Sequence, residues 1–65
     1  MIELRTISGT EDEKLRQLAR RIGAYLQIVD EEPDSKWYTM TEYADSDEEI
    51  AAQVKEIVGG RYEVV

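Results

Sequence analysis

The chain matches itself without a gap at an offset of 36 residues, the distance from Thr10 to Ser46, and this restricts its fold more than any other feature. Thr10-Glu11-Asp12-Glu13 falls on Ser46-Asp47-Glu48-Glu49, Leu18 on Val54, Ile22 on Val58 and Gly23 on Gly59. Downstream, Leu26, Ile28 and Val29 fall on Tyr62, Val64 and Val65; upstream, Ile2 and Leu4 fall on Tyr38 and Met40. Few of these residues are identical. What repeats is a pattern: strand, capped helix, glycine, strand, used twice.

Local chemistry gives each element a cause. Met1 to Ser8 alternates as a strand, with Ile2 and Leu4 on one face and Glu3 and Arg5 on the other. Thr10 then reads as an N-cap, with Glu13 completing a capping box. Leu15, Leu18, Ala19 and Ile22 follow at helical spacing, and Gly23 is the expected stop. Ala24 to Glu31 reads as a second strand, and Glu32-Pro33-Asp34-Ser35 as a turn in which Pro fixes φ and Asp and Ser bond locally. Lys36 to Ala44 reads as the third strand. Ser46 and Glu49 form a second capping box ahead of the stripe Ile50, Ala51, Val54, Ile57 and Val58, which Gly59-Gly60 ends. Arg61 to Val65 is the last strand.

The order β-α-β-β-α-β is that of the split βαβ, or ferredoxin-like, α+β arrangement. Right-handed crossovers put both helices on one face of a four-stranded antiparallel sheet ordered 4-1-3-2. One such domain accounts for residues 1–65, and the offset then reflects a pseudo-two-fold axis. The pairs Ile2/Tyr38, Leu4/Met40, Leu26/Tyr62 and Ile28/Val64 should face the helices. Leu4, Leu18, Ile22, Leu26, Ile28, Met40, Val54, Ile57, Val58 and Val64 are the expected core. A chain of 65 residues can bury only about 60% of the surface its unfolded form exposes, so this core is small.

Composition narrows the function classes. With no Cys and no His, the chain lacks disulfides, the usual zinc ligands and His-based acid–base catalysis. Fifteen acids against eight bases give a net charge of −7, which opposes direct binding to nucleic acid phosphates. No apolar run is long enough for a membrane span, and the N-terminus lacks the basic and apolar regions of a signal peptide. The expectation is a soluble cytoplasmic protein with no cofactor, no metal and no membrane association. The serines have no activating partner, so no enzymatic activity is expected.

The candidate site is the sheet face that no helix covers. Alternation places Glu3, Arg5, Ile7, Tyr25, Gln27, Val29, Trp37, Thr39, Thr41, Tyr43, Arg61, Glu63 and Val65 there. Trp37 and Tyr43 should lie near its centre, because the third strand is internal. Trp and Tyr bury much area at small entropic cost, which suits a binding anchor. The expected protein-binding residues are Arg5, Tyr25, Trp37, Thr39, Thr41, Tyr43 and Arg61, engaging a protein partner or a second copy. The bland alternative is that these cross-strand pairs only support a wet sheet.

The acidic clusters Glu11-Asp12-Glu13, Asp30-Glu31-Glu32 with Asp34, and Asp45 with Asp47-Glu48-Glu49 admit a second function. They could mimic nucleic acid and inhibit a basic protein, although two of the three sit at helix starts where acids complement the dipole. The segment Asp30 to Asp34 lacks the ligand spacing of a calcium loop. The doubled capping boxes and regular alternation also fit a designed scaffold without a natural partner, and the mixed third strand fits a small phage-type accessory protein.

Overall fold

A computed structural model describes residues 1–65. It contains β1 (Ile2–Thr6), α1 (Gly9–Ile22), β2 (Tyr25–Glu32), β3 (Ser35–Thr41), α2 (Asp47–Val58) and β4 (Tyr62–Val64). The sheet runs β2-β3-β1-β4 with every neighbouring pair antiparallel, which is the ferredoxin-like order. Ile2 stands opposite Met40 and Val64, and Leu4 opposite Tyr38 and Tyr62. The helix-facing residues of the two central strands therefore form continuous cross-strand rows.

Both helices end as the sequence predicts. Gly23 adopts φ 69° and ψ 25°, and the following Ala24 N–H reaches back to the Ala19 carbonyl at 2.9 Å. Gly59 takes φ 65° with ψ −133°, a region that side-chain-bearing residues avoid, and donates to the Lys55 carbonyl at 2.8 Å. The start of α2 also agrees, since Ser46 Oγ accepts the Glu49 N–H at 3.3 Å.

The start of α1 does not. The N-cap is Ser8 rather than Thr10; its Oγ accepts the Glu11 N–H at 3.1 Å, and Glu11 Oε1 accepts the Ile7 N–H at 2.9 Å. Ser8-Gly9-Thr10-Glu11 is itself a Ser-x-x-Glu box, and it wins because Glu11 is also held by Arg61. The helix thus gains residues at its N-terminal end, and Asp12 joins Leu15, Leu18 and Ala19 on the buried side.

The core consists of Ile2, Leu4, Leu15, Leu18, Ala19, Tyr38, Met40, Ile50, Ala51, Val54 and Val58. Ile22, Leu26 and Ile57 pack against it partly buried. Two expected core residues are corrected: Ile28 and Val64 are each 45% exposed. They lie on the helix side of their strands, but β2 and β4 are the outermost strands and have a neighbour on one flank only.

Two irregularities alter the strand pattern. Ile28 pairs with Tyr38 and Asp30 with Trp37, so Val29 is the extra residue of a β-bulge. Beyond it Asp30 and Glu31 exchange the faces that simple alternation gives them. The third strand stops at Thr41 rather than Ala44, because Glu42 takes φ 62° and turns the chain.

Candidate protein-binding face

The uncovered face is organised in rows across the sheet. The first row is Asp30, Trp37 and Arg5; the second is Gln27, Thr39, Glu3 and Glu63; the third begins with Tyr25 and Thr41. Trp37 is 38% exposed, on a strand with neighbours on both sides. The Arg5 guanidinium carbon sits 5.3 Å from the Trp37 ring centroid, within cation–π range. On the hairpin side, Trp37 Nε1 donates to Glu32 Oε1 at 3.3 Å. The indole is therefore held at both ends while part of its surface stays open. Tyr25, on the edge strand, is 52% exposed. Trp37, Thr39, Thr41, Tyr25 and Arg5 share the face, as the alternation predicts.

Arg61 reaches the end of this face, but its guanidinium is committed elsewhere. It donates to Glu11 Oε1 at 2.8 Å and Oε2 at 2.7 Å, and to the Arg5 carbonyl at 2.9 Å. This bidentate pair joins β4 to the first turn of α1. The hydrogen bond from Arg61 pulls the Glu11 carboxyl below its ordinary range despite partial burial, and the same contact raises the Arg61 value.

Tyr43 is corrected. The positive φ of Glu42 breaks the alternation, so Tyr43 leaves the open face and packs partly buried against the core. Its hydroxyl donates to Asp47 Oδ1 at 2.6 Å. Burial, then this hydrogen bond and the Asp47 charge, push the phenol up to about 12. The Tyr38 phenol is also raised, by burial and by its bond to Asp12. Neutral phenols stabilise the fold fully below their ordinary value of 10.0, and this contribution fades as pH rises toward the native values. Absorbance titration should show two phenols ionising late. Tyr43→Phe should remove one late phase and Asp47→Asn shift that phase to lower pH; loss of amplitude from the ordinary phase in Tyr43→Phe, with Asp47→Asn unchanged, would place Tyr43 in water.

A second polar arrangement is absent from the sequence reading. Asp12 is only 6% exposed. Its Oδ1 accepts hydrogen bonds from Thr6 Oγ1 and, at 3.0 Å, from the Tyr38 hydroxyl, while Lys36 Nζ lies 3.6 Å from Oδ2. Burial raises the Asp12 carboxyl, but the two hydroxyls and Lys36 together outweigh it and leave the group below its ordinary range. Thr6 and Tyr38 are themselves buried, so the cluster pins α1 to β1 and β3. Its sequence signal was phase: Asp12, Leu15 and Ala19 share one helical stripe.

No group of three or more Asp, Glu, His or Cys side chains is arranged to hold a metal ion. No helix is long and apolar enough to cross a membrane. Comparison with protein-family models, curated proteins and solved structures returned no significant match.

Proposed function

We propose that this chain is a non-enzymatic protein-binding module that engages a partner through its open sheet face. The observation that carries this reading is the half-open Trp37, fixed between Arg5 and Glu32 on an internal strand of the uncovered sheet face. A pre-oriented indole loses little conformational freedom on binding, and an indole that acts as a hot spot contributes about 2 kcal/mol or more at an interface. Arg5 lies beside it and Tyr25 lies further along the same face, level with Thr41, as further contacts, with Thr39 and Thr41 supplying hydroxyls.

Trp37 is the sole tryptophan, so its fluorescence reports on this face alone. Binding a captured partner should shift the emission, and Trp37→Ser should weaken capture by roughly thirtyfold or more while leaving the fold intact. Equal capture by both proteins would overturn the reading. Capture that vanishes at high salt yet ignores Trp37→Ser would favour an acidic nucleic-acid mimic instead.

A further inference from the structure

We propose that two copies of this chain associate about a two-fold axis through the free edge of β2, giving one sheet with four strands from each copy. This surface is separate from the Trp37 face and does not rest on that reading.

The strand β2 is the longest in the sheet at 8 residues, and it lies at the outside. All its residues except Leu26 are exposed, and Ile28 and Val29 are 45% and 54% exposed. Between β2 and α1 lies an open groove of about 350 Å³. Ala19, Ala24, Leu26, Ile28 and Tyr38 form its apolar lining, and Arg16 and Arg20 its charged part. Arg20 makes no ion pair within the chain, and Arg16 makes only a 3.9 Å contact with Glu13. A basic, apolar groove on a protein of net charge −7 calls for an extended occupant with apolar residues followed by acids.

The β2 strand has that character itself. The bulge at Val29 returns Glu31 to the side of the sheet that carries Leu26 and Ile28, the side of the groove. Antiparallel pairing centred on Gln27 sets Leu26 of each copy opposite Ile28 of the other. Counting the bulge as one ladder step, it also brings Glu31 of each copy level with Ala24 of the other, beside Arg20. Both grooves are filled, and acid meets base twice, with Glu31 turning to Arg20 from the 3.7 Å contact it makes with Lys36 in its own chain. Parallel pairing would set the acids of one copy against those of the other. The strand ends at Glu32, at the hairpin turn, which bounds the ladder, and the two-fold relation closes the pair.

So short an edge gives a small interface, so the association should be weak and concentration-dependent. Sedimentation equilibrium of the whole chain at low salt, from about 10 µM to about 1 mM, should show monomer and dimer. Arg20→Glu and Glu31→Arg should each weaken the dimer about tenfold, and the double variant should recover to within about threefold of the parent. Ile28→Lys should abolish the dimer, with circular dichroism confirming that it folds. A parent that stays monomeric throughout overturns the proposal, as does a dimer indifferent to Arg20→Glu. Failure of the double variant to recover rules out this register. Growth beyond the dimer shows an open-ended contact instead of a closed pair. Loss of the dimer in Trp37→Ser, with Arg20→Glu unaffected, assigns self-association to the open face.

Discussion

Leu18→Ala should leave most molecules unfolded in water at room temperature. Leu18 is 1% exposed and sits in the single core cluster that both helices share with the sheet. Removing a buried leucine side chain costs about 2–5 kcal/mol, from lost transfer energy and the cavity left behind. A domain of this size rarely has more than about 3–5 kcal/mol in total. Thr39→Ala and Thr41→Ala lie on the opposite face, partly exposed, and should cost less than about 1 kcal/mol each. Urea melts of the three variants provide the comparison. If the threonine changes prove as damaging as the leucine change, the two faces of β3 have been exchanged.

Asp12→Ala should be nearly as severe, for a different reason. It leaves the Thr6 and Tyr38 hydroxyls, 1% and 2% exposed by residue, without the acceptor they share. Stranding buried polar groups costs roughly 1–3 kcal/mol each, less whatever the site regains by relaxing. Asp12→Asn keeps an acceptor oxygen and should fall between alanine and the parent. The cluster also sets an acid limit. The native Asp12 and Glu11 carboxyls both lie below their unfolded values of 3.8 and 4.5. Their stabilisation is complete above those unfolded values and is lost as pH falls through the depressed native ones. The urea midpoint should therefore drop on acidification below about pH 4.5, and the drop should be shallower in Asp12→Asn. An identical acid limb in parent, Asp12→Asn and Glu11→Gln would mean that neither carboxylate is held as described.

The repeat made the architecture legible because it recorded two instances of one supersecondary unit, each with its own stop signal. Gly23 and Gly59 end their helices through purely local geometry, which a linear sequence displays. The start of α1 was ambiguous, since Ser8-Gly9-Thr10-Glu11 and Thr10-Glu11-Asp12-Glu13 both satisfy the same capping rule. What favours the first is Arg61, fifty residues from Glu11, and no local pattern announces that contact. Alternation assigned Ile28 and Val64 to the correct side of the sheet and overestimated their depth, because burial depends on where a strand sits laterally. Tyr43 was misplaced by the positive φ of Glu42, a residue type that gives no warning of it. The candidate face was legible where alternation held, from Tyr25 and Gln27 across Trp37, Thr39 and Thr41 to Glu3 and Arg5.

The position of β1 between β3 and β4 governs the order in which the molecule can assemble. Ile2 must find Met40 on one side and Val64 on the other, so both of its ladders close long stretches of chain. Only the β2–β3 hairpin, turning at Pro33-Asp34, forms between immediate neighbours. Loop-closure entropy must be overcome before the central pairs repay it, which slows such topologies relative to helical bundles of equal length. The hairpin and the two capped helices can flicker into place early, but the sheet has no centre until the first strand is inserted. The three-residue β4 borders β1 on its other side, and the Arg61–Glu11 clasp ties that end of the sheet to the helix layer. Closing the two long-range ladders of β1 is therefore the step expected to limit folding, and Ile2→Val should slow refolding if it does.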